Sequence, residues 1–92
     1  MSYVNKMYRI YFKNNFDELT DDKSRENYRI VEKILESKTT EIQELIYNII
    51  MGIESIPKNI EILAGEMGCE KKHIWNVFEK ITKEIASERG LV

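Results

Sequence analysis

Apolar residues recur every three or four positions along most of this 92-residue chain. This spacing matches the 3.6-residue period of an α-helix, on which such residues form one continuous stripe. The pattern is clearest in residues 42 to 50, where the apolar positions are Ile42, Leu45, Ile46, Ile49 and Ile50. The spacing favours an all-α fold, a small bundle of amphipathic helices around one core.

Residues that start or end helices divide this pattern into about five segments. Short polar side chains accept hydrogen bonds from free backbone amides, so the expected N-caps are Thr20–Asp22, Thr40 (in a capping box with Gln43) and Asn59. The expected helix ends are Gly52, Gly68 and Gly90. The predicted helices cover residues 3 to 13, 20 to 38, 40 to 51, 59 to 67 and 71 to 87, and residues 53 to 58 are predicted to be a loop.

Residues 3 to 13 fit two secondary structures. Their apolar residues recur at helical spacing, but Tyr8, Ile10 and Phe12 also alternate as in a strand. We favour the helix and leave the strand open. The tyrosines and basic residues of this segment fit a core or dimer interface, or a basic aromatic arm that touches nucleic acid; they are Tyr3, Lys6, Tyr8, Arg9, Tyr11 and Lys13.

Length and composition limit the function. A chain of this size forms one domain with a small core, here residues 1 to 92. Such a chain rarely builds the pocket of an enzyme. One Cys and one His are too few for a metal cluster, and no phosphate-binding glycine loop or nucleophile motif is present. We therefore expect no catalysis, no cofactor and no metal.

The composition also bears on the compartment. No apolar run approaches the length of a membrane-spanning helix, and the N-terminus lacks the apolar core of a signal peptide. A single Cys cannot form an internal disulfide. We expect a cytoplasmic protein without membrane contact. The chain has fourteen Ile, and ten Lys against four Arg, which suits an AT-rich bacterial or phage genome.

Residues 59 to 79 carry the pattern that is most informative about function. A short helix, a tight turn at Gly68 and a longer helix form the outline of a helix-turn-helix. The close crossing of two helices needs a small residue, here Ala64, and the turn needs a residue that adopts positive φ. The apolar residues expected to anchor both helices to the core are Leu63, Met67, Cys69, Ile74 and Val77.

The stretch from Leu63 to Val77 resembles the helix-turn-helix of region 4 in bacterial sigma factors and in phage sigma-like activators. The resemblance covers residues 40 to 86. It implies a helix-turn-helix module in residues 40 to 92, preceded by N-terminal helices in residues 1 to 39 that supply core or dimer contacts.

The resemblance also implies a role in transcription regulation, with double-stranded DNA as the partner and a recognition helix of about residues 70 to 86 in the major groove. Asn76 suits a paired contact to adenine, and Lys71 or Lys72 suits guanine or phosphate. Lys80 and Lys83 lie further along, towards the DNA backbone. The DNA-contacting residues that we predict are Asn59, at a phosphate-binding helix N-terminus, and Glu70, Lys71, Lys72, His73, Trp75, Asn76 and Lys80.

The charge balance leaves two functional interpretations open. The formal net charge is −2, and residues 55 to 92 contain six Lys or Arg and six Glu. Phosphate neutralisation supplies most of the affinity for DNA, so we expect a homodimer, or tethering to RNA polymerase or another protein through Trp75. The alternative is a protein-binding module or inhibitor of a phage or mobile element that keeps the helix-turn-helix fold, as the acidic balance and an exposed Trp75 suggest.

Overall fold

The computed structural model describes residues 2 to 91. These residues form five α-helices, with a short 3₁₀ turn at Phe16–Glu18 between the first two. The helices are α1 (Tyr3–Lys13), α2 (Asp22–Glu36), α3 (Thr40–Met51), α4 (Ile56–Met67) and α5 (Lys71–Arg89). Because residues 2 to 91 contain no strand, the prediction of an all-α fold with about five helices is confirmed, and residues 3 to 13 are helical.

Each of the helices α1 to α4 follows a short polar residue whose side chain accepts a hydrogen bond from the amide three residues later. This bond satisfies one of the free backbone donors of the first turn. The capping residues are Ser2, Asp21, Thr39 and Ser55. Asp21 lies within the predicted cap at Thr20–Asp22. The cap predicted at Thr40 is wrong by one residue, because Thr39 performs this role.

Helix α4 begins at Ile56, before its predicted N-cap Asn59. The Ser55 hydroxyl caps the helix by accepting a hydrogen bond from the Lys58 amide at 3.3 Å. Pro57 then lies in the first turn, where its fixed φ and missing N–H are well tolerated. The predictions of a loop up to Lys58 and of a cap at Asn59 are therefore wrong.

Asn59 instead holds together the connection between α3 and α4. Its side chain is buried. The amide nitrogen donates to the carbonyls of Ile49 at 2.9 Å and of Glu54 at 3.0 Å, and the amide oxygen accepts from the Glu54 N–H at 3.1 Å. Gly52 allows this arrangement, since a Cβ there would lie 2.6 Å from the Asn59 Cγ. Helix α3 ends at Gly52 as predicted, but Gly52 has φ −62° and not the left-handed conformation that the prediction assumed. Glycine is needed here because a side chain would displace Asn59.

The buried residues of α1 to α5 form one core. Helix α5 contacts α1, α2 and α4, and contributes Ile74, Phe78, Ile81, Ile85 and Ala86. Ion pairs on the surface join its C-terminal half to α2 and to the connection that follows α2: Lys33–Glu88, Lys38–Glu84 and Arg89–Glu26. One anchor predicted from sequence is wrong, because Met67 is 59% exposed.

Tyr8 lies at the centre of this core. Its ring stacks with the rings of Phe12 and Phe78, with centroid distances of 6.4 and 5.9 Å. Its hydroxyl is 3.0 Å from the Thr82 Oγ1 on α5. Tyr3 and Tyr11 pack against the same core, so these tyrosines pack as core residues and do not form an extended aromatic arm.

We expect Asn59→Ala to lower the free energy of unfolding by about 2–4 kcal/mol, because it leaves the buried Ile49 carbonyl and the part-buried Glu54 N–H and carbonyl without partners. Urea unfolding followed by circular dichroism measures this change. Asn48→Ala is the matched control, since Asn48 is exposed on α3, and its effect is expected to stay within about 0.5 kcal/mol. Equal stabilities of the two variants would contradict the role given to Asn59.

Burial raises the pKa of the Tyr8 hydroxyl above its ordinary value of 10.0. The unfolded chain therefore loses this proton first as the pH rises. We expect the free energy of unfolding to fall above about pH 10, by up to about 1.4 kcal/mol per pH unit from this group.

Tyr8→Phe removes this contribution, so its stability is expected to fall less steeply between about pH 9 and 11. At neutral pH the variant is expected to be about 1 kcal/mol less stable, because the hydrogen bond to Thr82 is lost. Urea unfolding at a series of pH values measures both effects. Parallel pH curves for the two proteins would rule out the proposed contribution of Tyr8.

Candidate nucleic-acid interface

A turn of three residues, Gly68 to Glu70, joins α4 to α5. Gly68 has φ 67° and ψ 34°, the left-handed conformation predicted for it. The Cys69 N–H donates to the Ala64 carbonyl at 3.1 Å, which closes the end of α4. Ala64 is buried and Cys69 packs against the core, so both adopt the positions expected from the sequence. The turn therefore fixes where α5 starts relative to α4.

One face of α5 presents polar and basic side chains to solvent. Lys72, Asn76, Lys80 and Lys83 are all exposed, and their spacing of four, four and three residues places them on the same side of the helix. Glu79 is also exposed on this side, three residues after Asn76 and four before Lys83. We call these four residues the α5 stripe. At 1.5 Å per residue the stripe is about 16 Å long. The opposite side of the helix is buried in the core.

The lysines of this region are free to bind an external anion. Lys71, Lys72, Lys80 and Lys83 form no ion pair with any residue between 2 and 91. The acidic residues that do pair on α5 are Glu84 and Glu88, nearer its C-terminus. Residues 70 to 83 contain four Lys and two Glu, so this part of the surface is locally positive although the chain is acidic.

The N-terminus of α5 also differs from those of the other described helices. Its N-cap Glu70 makes no hydrogen bond from its side chain to the helix. The His73 N–H donates to the Glu70 carbonyl at 3.1 Å, which leaves the amides of Lys71 and Lys72 for an acceptor from outside the chain, and the helix dipole favours a negatively charged one. Exposed Glu70 also carries a negative charge at this end.

Six of the eight predicted contact residues are exposed. They are Glu70, Lys71, Lys72, His73, Asn76 and Lys80. Trp75 is half-buried and meets the ring of Phe78 edge-on at 6.2 Å between centroids, so it presents only part of its surface to solvent. Asn59 lies apart from this group, buried in the α3–α4 connection with its amide bonded internally. The prediction placed Asn59 with free backbone amides at a helix N-terminus that holds a phosphate, but α4 begins at Ile56 and the Asn59 N–H donates to the Ser55 carbonyl at 2.8 Å, so this prediction is wrong.

The sequence motifs above do not predict a second surface feature, an acidic segment with exposed apolar residues. Residues 39 to 70, from the N-cap of α3 to the N-cap of α5, contain six Glu and one Lys. Four of the five large hydrophobic side chains that are exposed within the described chain belong to this segment: Tyr47, Ile53, Ile62 and Met67. Counting charges by segment reveals the acidic character from sequence alone. The balanced count over residues 55 to 92 conceals it.

Comparison of the chain with protein families, with curated proteins and with solved structures found no match. No helix within residues 2 to 91 combines the length and the hydropathy that crossing a membrane requires. In the same part of the chain, no three His, Cys, Asp or Glu side chains come together as metal ligands.

Two glycines near this turn provide a matched test of its conformation. Gly68→Ala places a Cβ on a backbone with positive φ, and we expect it to lower the free energy of unfolding by about 1 kcal/mol. Gly65→Ala lies within α4, where a Cβ meets no atom within 4 Å. It is expected to stabilise the protein by about 0.5–1 kcal/mol, because Ala favours the helix. Thermal unfolding measures both, and shifts of the same sign would contradict the assigned turn.

Proposed function

We propose that this protein binds double-stranded DNA through α5 and regulates transcription. The observation that carries the proposal is the α5 stripe. It presents three unpaired lysines and one Asn, beside Glu79, on a single exposed helix face that begins directly after the three-residue turn. An α-helix of this kind fits the major groove of B-form DNA, which is about 12 Å wide.

The chemistry of the stripe suits both parts of DNA recognition. Lysine ammonium groups neutralise phosphates and position the protein on the duplex, whereas contacts to base edges provide specificity. The Asn76 side chain carries the donor and acceptor pair that matches N7 and N6 of adenine. Lys72, one turn before it, is placed for guanine or phosphate, and Lys80 and Lys83 for phosphates further along.

The number of unpaired lysines sets the expected affinity. Four of them in residues 71 to 83 neutralise few phosphates, so a single copy binds weakly at physiological salt. We propose that two copies bind together, each with its α5 in a successive major groove about 34 Å apart. The second copy doubles the number of phosphates contacted.

Fluorescence anisotropy with a labelled duplex of random sequence tests this proposal at about 50 and about 200 mM salt. We expect the affinity of the wild-type protein to fall steeply as salt rises. Lys72→Ala/Lys80→Ala removes two phosphate contacts per copy, so the slope of log affinity against log salt is expected to decrease in magnitude by about 1.8 for each bound copy.

Lys6→Ala/Lys13→Ala is the matched control. Both lysines are exposed on α1, so this variant loses the same charge at another site and is expected to keep the wild-type slope. Absence of binding at about 50 mM salt, or equal losses in the two double variants, would contradict the proposed interface.

A further inference from the structure

Two neighbouring apolar hollows line the exposed surface of α3 and α4. Their volumes are about 420 and 320 Å³, and both include Asn48 and Leu63 in their walls. We call these two hollows together the α3–α4 groove. Its apolar lining consists of Ile42, Leu45, Ile53, Ile62, Leu63 and Met67. Ile53 is fully exposed and Met67 is 59% exposed, so nothing in the described chain covers these side chains.

Glutamates surround this apolar surface. Glu41 and Glu44 line one hollow, and Glu54 and Glu66 line the other. All four are exposed, and none forms an ion pair within residues 2 to 91. The groove contains no Lys, Arg or His among the residues that line it. An occupant must therefore combine apolar side chains with positive charge.

We propose that the α3–α4 groove docks a basic amphipathic helix of a partner protein. Apolar side chains of such a helix at positions i, i+3, i+4 and i+7 enter the groove, and flanking Lys or Arg residues face the four glutamates. From Glu41 to Gly52 the groove extends about 16 Å along α3. A helix of three turns, about eleven residues, has this length.

The surface chemistry distinguishes this partner from DNA and from a second copy of the chain. A groove edged by glutamates repels phosphate, so it does not bind the duplex proposed for α5. Exposed lysines occur on α1 as well as on α5, but the α5 stripe supplies no apolar anchor, and the apolar residues Val4, Met7 and Tyr8 of α1 are already buried in the core. The matching helix must therefore come from another protein.

A designed peptide pair tests the proposal. One peptide is a fluorescein-labelled helix of about fifteen residues with leucines at helical spacing and flanking lysines. The other has glutamates in place of the lysines. We expect the basic peptide to bind the full chain with micromolar affinity at low salt, as measured by anisotropy, and the acidic peptide to bind at least about tenfold more weakly.

Two variants locate the binding site. Glu44→Lys/Glu66→Lys is expected to weaken binding of the basic peptide by at least about tenfold, and Ile62→Ser is expected to weaken it through loss of an apolar contact. The control Asp17→Lys/Glu36→Lys makes the same change of charge at exposed residues outside the groove, and is expected to leave the affinity within about twofold. Circular dichroism confirms that each variant is folded before it is compared.

Three results would overturn the proposal. They are equal binding of the acidic peptide, equal loss in the control variant, and self-association of the protein that Ile62→Ser abolishes in sedimentation velocity. The last result would identify a second copy as the occupant. No DNA is present in these measurements, so their outcome does not depend on the proposal made for α5.

Discussion

Helix α5 buries Ile74, Phe78, Ile81 and Ile85 in the core while its opposite face remains in solvent. The positions of the other described elements depend on this burial, because a chain of this size builds only one core. The helices α1, α2 and α4 contact α5 directly, and α3 reaches the same core through α1 and α4. A change that disturbs the buried face of α5 therefore disturbs the whole fold, whereas its exposed stripe tolerates substitution.

Opposite charges occupy two surfaces of this small fold. The exposed lysines of α5 follow the turn at Gly68, and five glutamates of residues 41 to 66 precede it. The formal net charge of −2 therefore conceals a locally basic helix. The two ligands that we propose, a DNA duplex and a basic helix of a partner protein, would occupy separate surfaces, because each is repelled by the surface proposed for the other. The two proposals together describe an adaptor that joins DNA to another protein.

Helical periodicity predicts most of the fold, because a helix that buries one side needs apolar residues at that spacing. The five helices, the buried Ala64 and the left-handed Gly68 follow from apolar spacing and backbone sterics. Local sequence cues give the wrong helix boundaries where contacts between helices determine them. Pro57 suggests a loop, but it lies in the first turn of α4, and Asn59 suggests an N-cap, but its side chain donates to carbonyls that the fold brings near it.

The candidate site is predicted less completely than the fold. Exposure of Lys72, Asn76 and Lys80 follows from helical phase, but the half-buried state of Trp75 depends on its contact with Phe78. The α3–α4 groove forms only where two helices pack side by side, and the sequence of neither helix alone predicts this packing. Met67 shows where helical periodicity fails to predict burial, because it follows the apolar pattern of α4 and yet is 59% exposed.

The most direct test of the account is a ¹H–¹⁵N NMR titration of the full chain with a short random-sequence duplex at low salt. The account predicts that the largest shift changes fall on amides of residues 70 to 83, while those of residues 41 to 48, 52 to 54 and 62 to 66 barely move. Changes concentrated on α3 and α4, or the absence of any change, would contradict the assignment of α5 as the surface that binds DNA.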